Sequence, residues 1–135
     1  MMATSPPGGY SVLITDDDPT CRDTLRCGLE PQGYETHVAS CGLEAVRIVK
    51  RMRIHVVFVD MYMPDMTGVE TVEMILQTVK EPPPCILMMS GAVTKELMMR
   101  ALHAHAHTLL PKPLDLGLIR TVLDGLIRRT YLRRG

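Results

Sequence analysis

The stretch Val56-Val57-Phe58-Val59-Asp60-Met61-Tyr62-Met63-Pro64-Asp65-Met66-Thr67-Gly68 decides how this chain is read. Four apolar residues, three of them β-branched, run without a polar break into a single aspartate. A short run of that kind, stopped by proline and glycine, predicts a strand buried on both faces. Asp60 then stands at its carboxyl end, where an open α/β sheet places its ligands. An isolated carboxylate costs several kcal/mol to bury, so a cation is expected beside it.

Working outward, the same grammar repeats. Ser11-Val12-Leu13-Ile14-Thr15 predicts a first strand, followed by Asp16-Asp17-Asp18-Pro19, with Asp18 as N-cap and Pro19 in the first helical turn. Leu25 and Leu29 keep helical spacing, and Gly33 closes the unit. Tyr34 to Ala39 reads as a more polar strand at the sheet edge. Ser40 is the expected cap of a second helix with Leu43, Val46 and Val49 inward. Thr67 caps a third helix with Val69, Val72, Ile75 and Leu76 inward. Pro82-Pro83-Pro84 forbids helix and leads into the strand Cys85 to Met89, closed by Ser90-Gly91. A helix from about Thr94 through Leu102, a short strand Thr108 to Pro111 and a last helix from about Leu114 past Ile127 complete the pattern. Strands alternating with helices imply right-handed crossovers and a parallel sheet covered on both faces.

The chain has 135 residues, enough for one domain with one core. Fifteen basic and 15 acidic residues cancel, which argues against a nucleic-acid or membrane surface held by bulk charge. No apolar run approaches the ~18 residues that cross a bilayer. The start lacks the basic-then-apolar pattern of a secretion signal, so a cytoplasmic location is expected. Four scattered cysteines form no metal spacing and read as free thiols.

Parallel strands deliver their carboxyl ends to one edge: Asp16 and Asp17, Asp60, Ser90 and Lys112. Two carboxylates about 4 Å apart repel by roughly 4 kcal/mol at an effective dielectric near 20. A hard divalent cation relieves this, and clustered oxygens select Mg²⁺ over Zn²⁺. Lys112 and the Ser90 hydroxyl then suit the remaining oxygens of a phosphoryl group. With no glycine-rich phosphate loop, the natural reading is a phosphoryl group landing on Asp60 as nucleophile.

These residues resemble the receiver domain of two-component response regulators from about Tyr10 to Arg129. The resemblance lies in Val12 to Pro19, Asp60 to Gly68, Met89-Ser90-Gly91 and Pro111-Lys112-Pro113, in that order. It implies a flavodoxin-like doubly wound five-stranded parallel sheet of order 2-1-3-4-5 with five helices. On the same resemblance residues 1–9 are a tail, 10–130 the receiver domain, and 131–135 a basic end or the start of a linker. Asp60 would accept a phosphoryl group from a histidine kinase or phosphotransfer protein. Asp17, Asp60 and the Tyr62 carbonyl would bind Mg²⁺ directly, with Asp16 acting mostly through water. Lys112 would pair with carboxylate or phosphoryl oxygens, and Ser90 would swing to the phosphoryl group. Such a domain is a switch rather than a metabolic enzyme, acting on an output domain or downstream protein. Two copies pairing through the fourth helix, fifth strand and fifth helix is a further candidate arrangement. No membrane partner and no direct nucleic-acid contact are expected.

The chain departs from the family in two places. Leu109 stands where the family usually has an aromatic ring three residues before the lysine, and His105 where it usually has glycine. Leu109 keeps open a pseudo-receiver that scaffolds without responding to phosphate. Asp16-x-Asp18-x-Thr20 keeps open a haloacid-dehalogenase-type phosphatase, though Asp60 would then lack a task. His103, His105 and His107 invite a metal reading but lack a completing carboxylate or thiol, so solvent-facing imidazoles are expected. The arginines Arg128, Arg129, Arg133 and Arg134 read as a charged helix end.

Overall fold

The computed structural model describes residues 9–80 and 82–132. The expected tail, apart from Gly9, and the last arginines, Arg133 and Arg134, fall outside them. The elements are β1 (Ser11–Thr15), α1 (Pro19–Leu29), β2 (Glu35–Ala39), α2 (Gly42–Arg51), β3 (Val56–Asp60), α3 (Gly68–Thr78), β4 (Cys85–Ser90), α4 (Lys95–His103), β5 (Thr108–Pro111) and α5 (Leu116–Ile127). A 3₁₀ turn, Glu30–Gln32, follows α1, and a π-helical turn, Arg128–Leu132, extends α5. The strands form one parallel sheet of order β2-β1-β3-β4-β5, so the predicted fold is the observed one.

Alternation along each strand sorts the core into two layers. Leu13, Val57, Val59, Ile86, Met88 and Leu109 face α2, α3 and α4. Val12, Ile14, Phe58, Leu87, Met89 and Leu110 face α1 and α5. Both sides of β1, β3 and β4 are buried, which is why their sequences read as unbroken apolar runs. β2 is an edge strand and keeps its polar residues.

Local signals place most helix ends. Asp18 accepts from the Thr20 N–H at 3.0 Å and starts α1. Thr67 and Glu70 form a capping box at α3, with both reciprocal hydrogen bonds made. Gly33 takes a left-handed φ of 98° after α1, and His105 takes φ 71° after α4, at the position where glycine is usual.

Two expectations fail at α2. Ser40 does not cap it; the N-cap position is Cys41, whose side chain makes no cap hydrogen bond. The Ser40 hydroxyl and amide both turn to the Glu44 carboxylate, at 3.0 and 2.7 Å. Leu43 is not inward but 47% exposed, because the buried stripe of α2 is Gly42, Ala45, Val46 and Val49.

At the amino edge of the sheet the two ends of the described chain meet. The Tyr10, His55 and Tyr131 rings pack with centroids 5.0 to 5.6 Å apart, and the Tyr131 hydroxyl donates to the His55 carbonyl at 2.9 Å. Tyr131 and Leu132 pack against the α1 and α5 side of the core, so the folded unit continues through the π-helical turn.

The turn after β3 depends on a close approach. A Cβ on Gly68 would collide with the Asp60 carbonyl and with the Met88 side chain. Gly68→Ala is therefore expected to cost about 1–3 kcal/mol in urea unfolding through overpacking. The same substitution should displace the Met61 amide resonance, since that N–H shares its peptide group with the colliding Asp60 carbonyl.

Candidate functional site

Register brings the chemistry together. Thr15 pairs across from Val59, Asp60 from Met89, and Ser90 from Pro111. The next residues along are tied as well: Asp16 N–H donates to the Ala39 carbonyl, Met61 N–H to Met89 and Lys112 N–H to Ser90, at 2.9 to 3.1 Å. Asp16, Asp60, Ser90 and Lys112 consequently occupy one level at the carboxyl edge. One carboxylate oxygen from each of Asp16, Asp17 and Asp60 lies within 4.8 Å of the others.

The three acids differ. Asp16 is fully buried, while Asp17 is exposed. The Asp16 Oδ2 receives the Lys112 ammonium at 2.6 Å and its Oδ1 receives the Asp18 N–H at 3.0 Å. Burial alone would raise the Asp16 pKa, but hydrogen bonds from Lys112, the Cys21 thiol and the Asp18 amide outweigh it, and the carboxyl is held below its usual value. Asp60 is only 7% exposed and lies 3.5 Å from the Lys112 Nζ. Burial, followed by repulsion from Asp16, pushes the Asp60 carboxyl up to about 6, against the pull of Lys112 and of the Tyr62 N–H. Burial would lower the Lys112 pKa, but Asp16 and Asp60 together hold it above its ordinary value.

Lys112 thus stands nearer to Asp16 than to Asp60, a ranking that sequence reasoning did not give. Ser90 is buried, and its hydroxyl accepts the Ala92 N–H at 3.2 Å within its own loop. Gly91 is exposed and a Cβ there would meet nothing within 4 Å. Tyr62 is 54% exposed beside the acids.

Three oxygen donors with no sulfur or nitrogen form the set a hard divalent cation takes, and the excess negative charge of the pocket favours one. Asp16 has both oxygens engaged already, whereas the exposed Asp17 retains the freer lone pairs.

Sequence reasoning missed three supporting residues. Arg22 donates from Nη1 to the Asp16 carbonyl at 2.8 Å and fixes the acidic turn from α1. By its spacing Cys21 is simply one of four free thiols. It is buried beside Asp16, and burial followed by that carboxylate pushes its pKa up to about 12, so it is an inert donor. Asp65 accepts from the Gly42 and Leu43 amides across the pocket's flank. One helical turn from Asp18 could have pointed to Arg22, but nothing in the sequence marks Cys21 or Asp65. His103, His105 and His107 are exposed, but the His107 Nδ1 is turned to the Ile86 main chain and accepts its N–H at 3.3 Å rather than facing solvent. Among the described residues the acidic trio is the metal-capable group. No helix of the described residues is long and apolar enough to cross a membrane.

A family model described as response regulator receiver domain matches residues 12–124. The chain belongs to that family. A curated relative, response regulator MprA of Mycobacterium leprae, is 32% identical over 119 residues, covering 88% of this chain and 51% of that protein. This receiver chain therefore spans about half the length of the curated relatives it matches. Among solved structures, the chemotaxis protein CheY4 of Vibrio cholerae has a TM-score of 0.77 at 28% identity, covering 86% of this chain and 97% of its own. The receiver of Ssk1 from Saccharomyces cerevisiae, solved with the histidine phosphotransfer protein Ypd1, has a TM-score of 0.80 at 21% identity, covering 92% and 94%; it shares the fold.

The raised Asp60 pKa sets a pH dependence. In the folded receiver Asp60 holds its proton at pH values where the unfolded chain, near 3.8, has released it. Between about 4 and about 6 the folded state binds more protons, so Asp60's contribution to stability falls as pH rises through that window. Asp60→Asn should remove this decline and, in metal-free buffer at pH 7, stabilise the domain by about 1–2 kcal/mol. Chemical denaturation of both proteins across pH 4 to 7 measures the difference; parallel pH profiles would contradict the assignment.

Proposed function

We propose that this receiver is a phosphorylatable switch in which Asp60 accepts a phosphoryl group from a phosphohistidine on a histidine kinase or phosphotransfer protein. The observation that carries the reading is the joint placement of Asp16, Asp17 and Asp60 within 4.8 Å, with the Lys112 ammonium in contact with two of them. An Asp60 carboxylate oxygen attacks phosphorus, the P–N bond breaks, and the imidazole leaves with its electron pair and takes up a proton. The product is a mixed anhydride on Asp60, which water later cleaves to aspartate and inorganic phosphate.

Mg²⁺ is the proposed cofactor, held by Asp17, Asp60 and the Tyr62 carbonyl, with Asp16 behind them. When bound it neutralises the acidic cluster and offsets the charge of the incoming phosphoryl oxygens. Lys112 is within reach to follow that charge from carboxylate to phosphoryl oxygen. The Ser90 hydroxyl gives up the Ala92 amide and donates to the phosphoryl group, drawing the β4–α4 loop with it. The same reading assigns a cytoplasmic setting and places output contacts or self-association on α4, β5 and α5, where Met99, Leu102 and Leu118 are exposed.

Leu109 favours a second reading in one respect. It is already buried in the core, so no ring is available to rotate there, and an unresponsive scaffold is the alternative. The full burial of Asp16 and its pairing with Lys112 speak against Asp16 as a phosphatase nucleophile.

With Mg²⁺ and acetyl phosphate, intact-mass measurement should show one added phosphate, lost on chelation of the metal. Asp60→Asn should abolish the adduct, while Asp16→Asn should slow its formation. An unchanged wild-type mass under conditions that phosphorylate a control receiver would refute the proposal. Adduct formation with no change in the amide resonances of α4 and β5 would select the scaffold.

A further inference from the structure

The β3–α3 loop carries Asp60 at its start and the Tyr62 amide that hydrogen-bonds to the Asp60 carboxylate. Its two ends are fixed by main-chain bonds: Met61 N–H to the Met89 carbonyl at 2.9 Å, and Gly68 N–H to the Met61 carbonyl at 2.8 Å. Between them the loop leans on α2. The Asp65 carboxylate accepts the Gly42 N–H at 3.3 Å through Oδ1 and the Leu43 N–H at 3.2 Å through Oδ2. These are first-turn amides of a helix whose own N-cap side chain offers no acceptor. Asp65 therefore acts as the missing cap from 22 residues away in sequence. Gly42 makes the approach feasible, since a Cβ there would collide with the Thr71 hydroxyl and come within 2.9 Å of the Met66 sulfur. Burial works to raise the Asp65 pKa, but the Leu43 and Gly42 amides outweigh it and keep the carboxyl ionised.

We propose that Asp65 is a positioning residue for the acidic pocket, holding the loop against the start of α2 so that Tyr62 and Asp60 keep the spacing a divalent cation needs. This rests on the functional reading above and adds to it a tether outside the pocket. Without the tether the loop between Met61 and Gly68 gains freedom that cation binding must then remove, so affinity falls.

The test is Mg²⁺ titration of the wild type, Asp65→Ala and Asp65→Asn, followed by the amide resonances of Asp60 to Met63, together with amide exchange of the metal-free proteins. Asp65→Ala should bind Mg²⁺ about fivefold more weakly, on the scale of a lost helix cap. Gly42, Leu43 and Tyr62 should exchange faster in that variant before any metal is added. Asp65→Asn keeps one acceptor oxygen for the two amides, so it holds half the tether and should fall between the other two, about twofold weaker than the wild type. Wild-type Mg²⁺ affinity in Asp65→Ala, with or without a lower melting temperature, would overturn the proposal and reduce Asp65 to a stabilising cap. Weaker Mg²⁺ binding in Asp65→Ala with unchanged exchange at Gly42, Leu43 and Tyr62 would also overturn it, because the lost charge and not a loosened loop would then be the cause. A wild type that shows no Mg²⁺ response would instead sink the functional reading from which the proposal starts.

Discussion

One ammonium shared by two buried carboxylates governs this molecule. Lys112 meets Asp16 at 2.6 Å and Asp60 at 3.5 Å, and neither acid could remain ionised at such burial without it. The sharing is unequal, and the inequality has chemical content. Asp16 is neutralised and hydrogen-bonded on both oxygens, whereas Asp60 is left electrostatically dissatisfied. The dissatisfied group is the one at the mouth, beside the exposed Asp17. A carboxylate in that condition gains from any cation or phosphoryl chemistry that relieves it. The fold serves this arrangement by setting four strand ends at one level.

The surrounding residues hold the arrangement in place. Arg22 fixes the Asp16 carbonyl, the Cys21 thiol donates to its carboxylate, and Gly68 lets α3 start directly against the Asp60 main chain. The Ser90 hydroxyl rests on its own loop amide, a weak commitment that leaves it free to change partner. Leu109 is packed among the α4 contacts, so movement of the loop after Ser90 must reach α4 through the backbone and through packing rather than through a turning ring.

Much of this was legible in the chain. β1, β3 and β4 are buried on both faces, so each appeared as an apolar run, and each led at or just past its end to a polar residue that had no packing reason to be there: Asp16, Asp60 and Ser90. Thr67 announced the start of α3 as its N-cap, and the structure adds Glu70, three residues on, as the other half of a capping box. What stayed hidden depended on contacts between distant segments. Ser40 looked like a cap until Glu44, four residues on, competed for its hydroxyl and amide. Leu43 looked inward because its spacing to Val46 fits a helix face, yet the α2 stripe turns on the small residues Gly42 and Ala45. Asp65 bonds to Gly42, and Lys112 chooses between two acids by less than an ångström; neither fact has a local signature.

The ring cluster at the opposite edge has a consequence of its own. Tyr10 and Tyr131 pack with ring centroids 5.6 Å apart, so the two ends of the described chain lie at nearly one point. That point is separated from the acidic mouth by the length of a five-residue strand, about 17 Å. A domain with adjacent ends is modular: a short linker can close it into a circular permutant, or it can be spliced into a loop of another protein without prising that loop open. Labels attached beside Tyr10 and beside Tyr131 would sit together, on the side where they leave the reactive mouth clear.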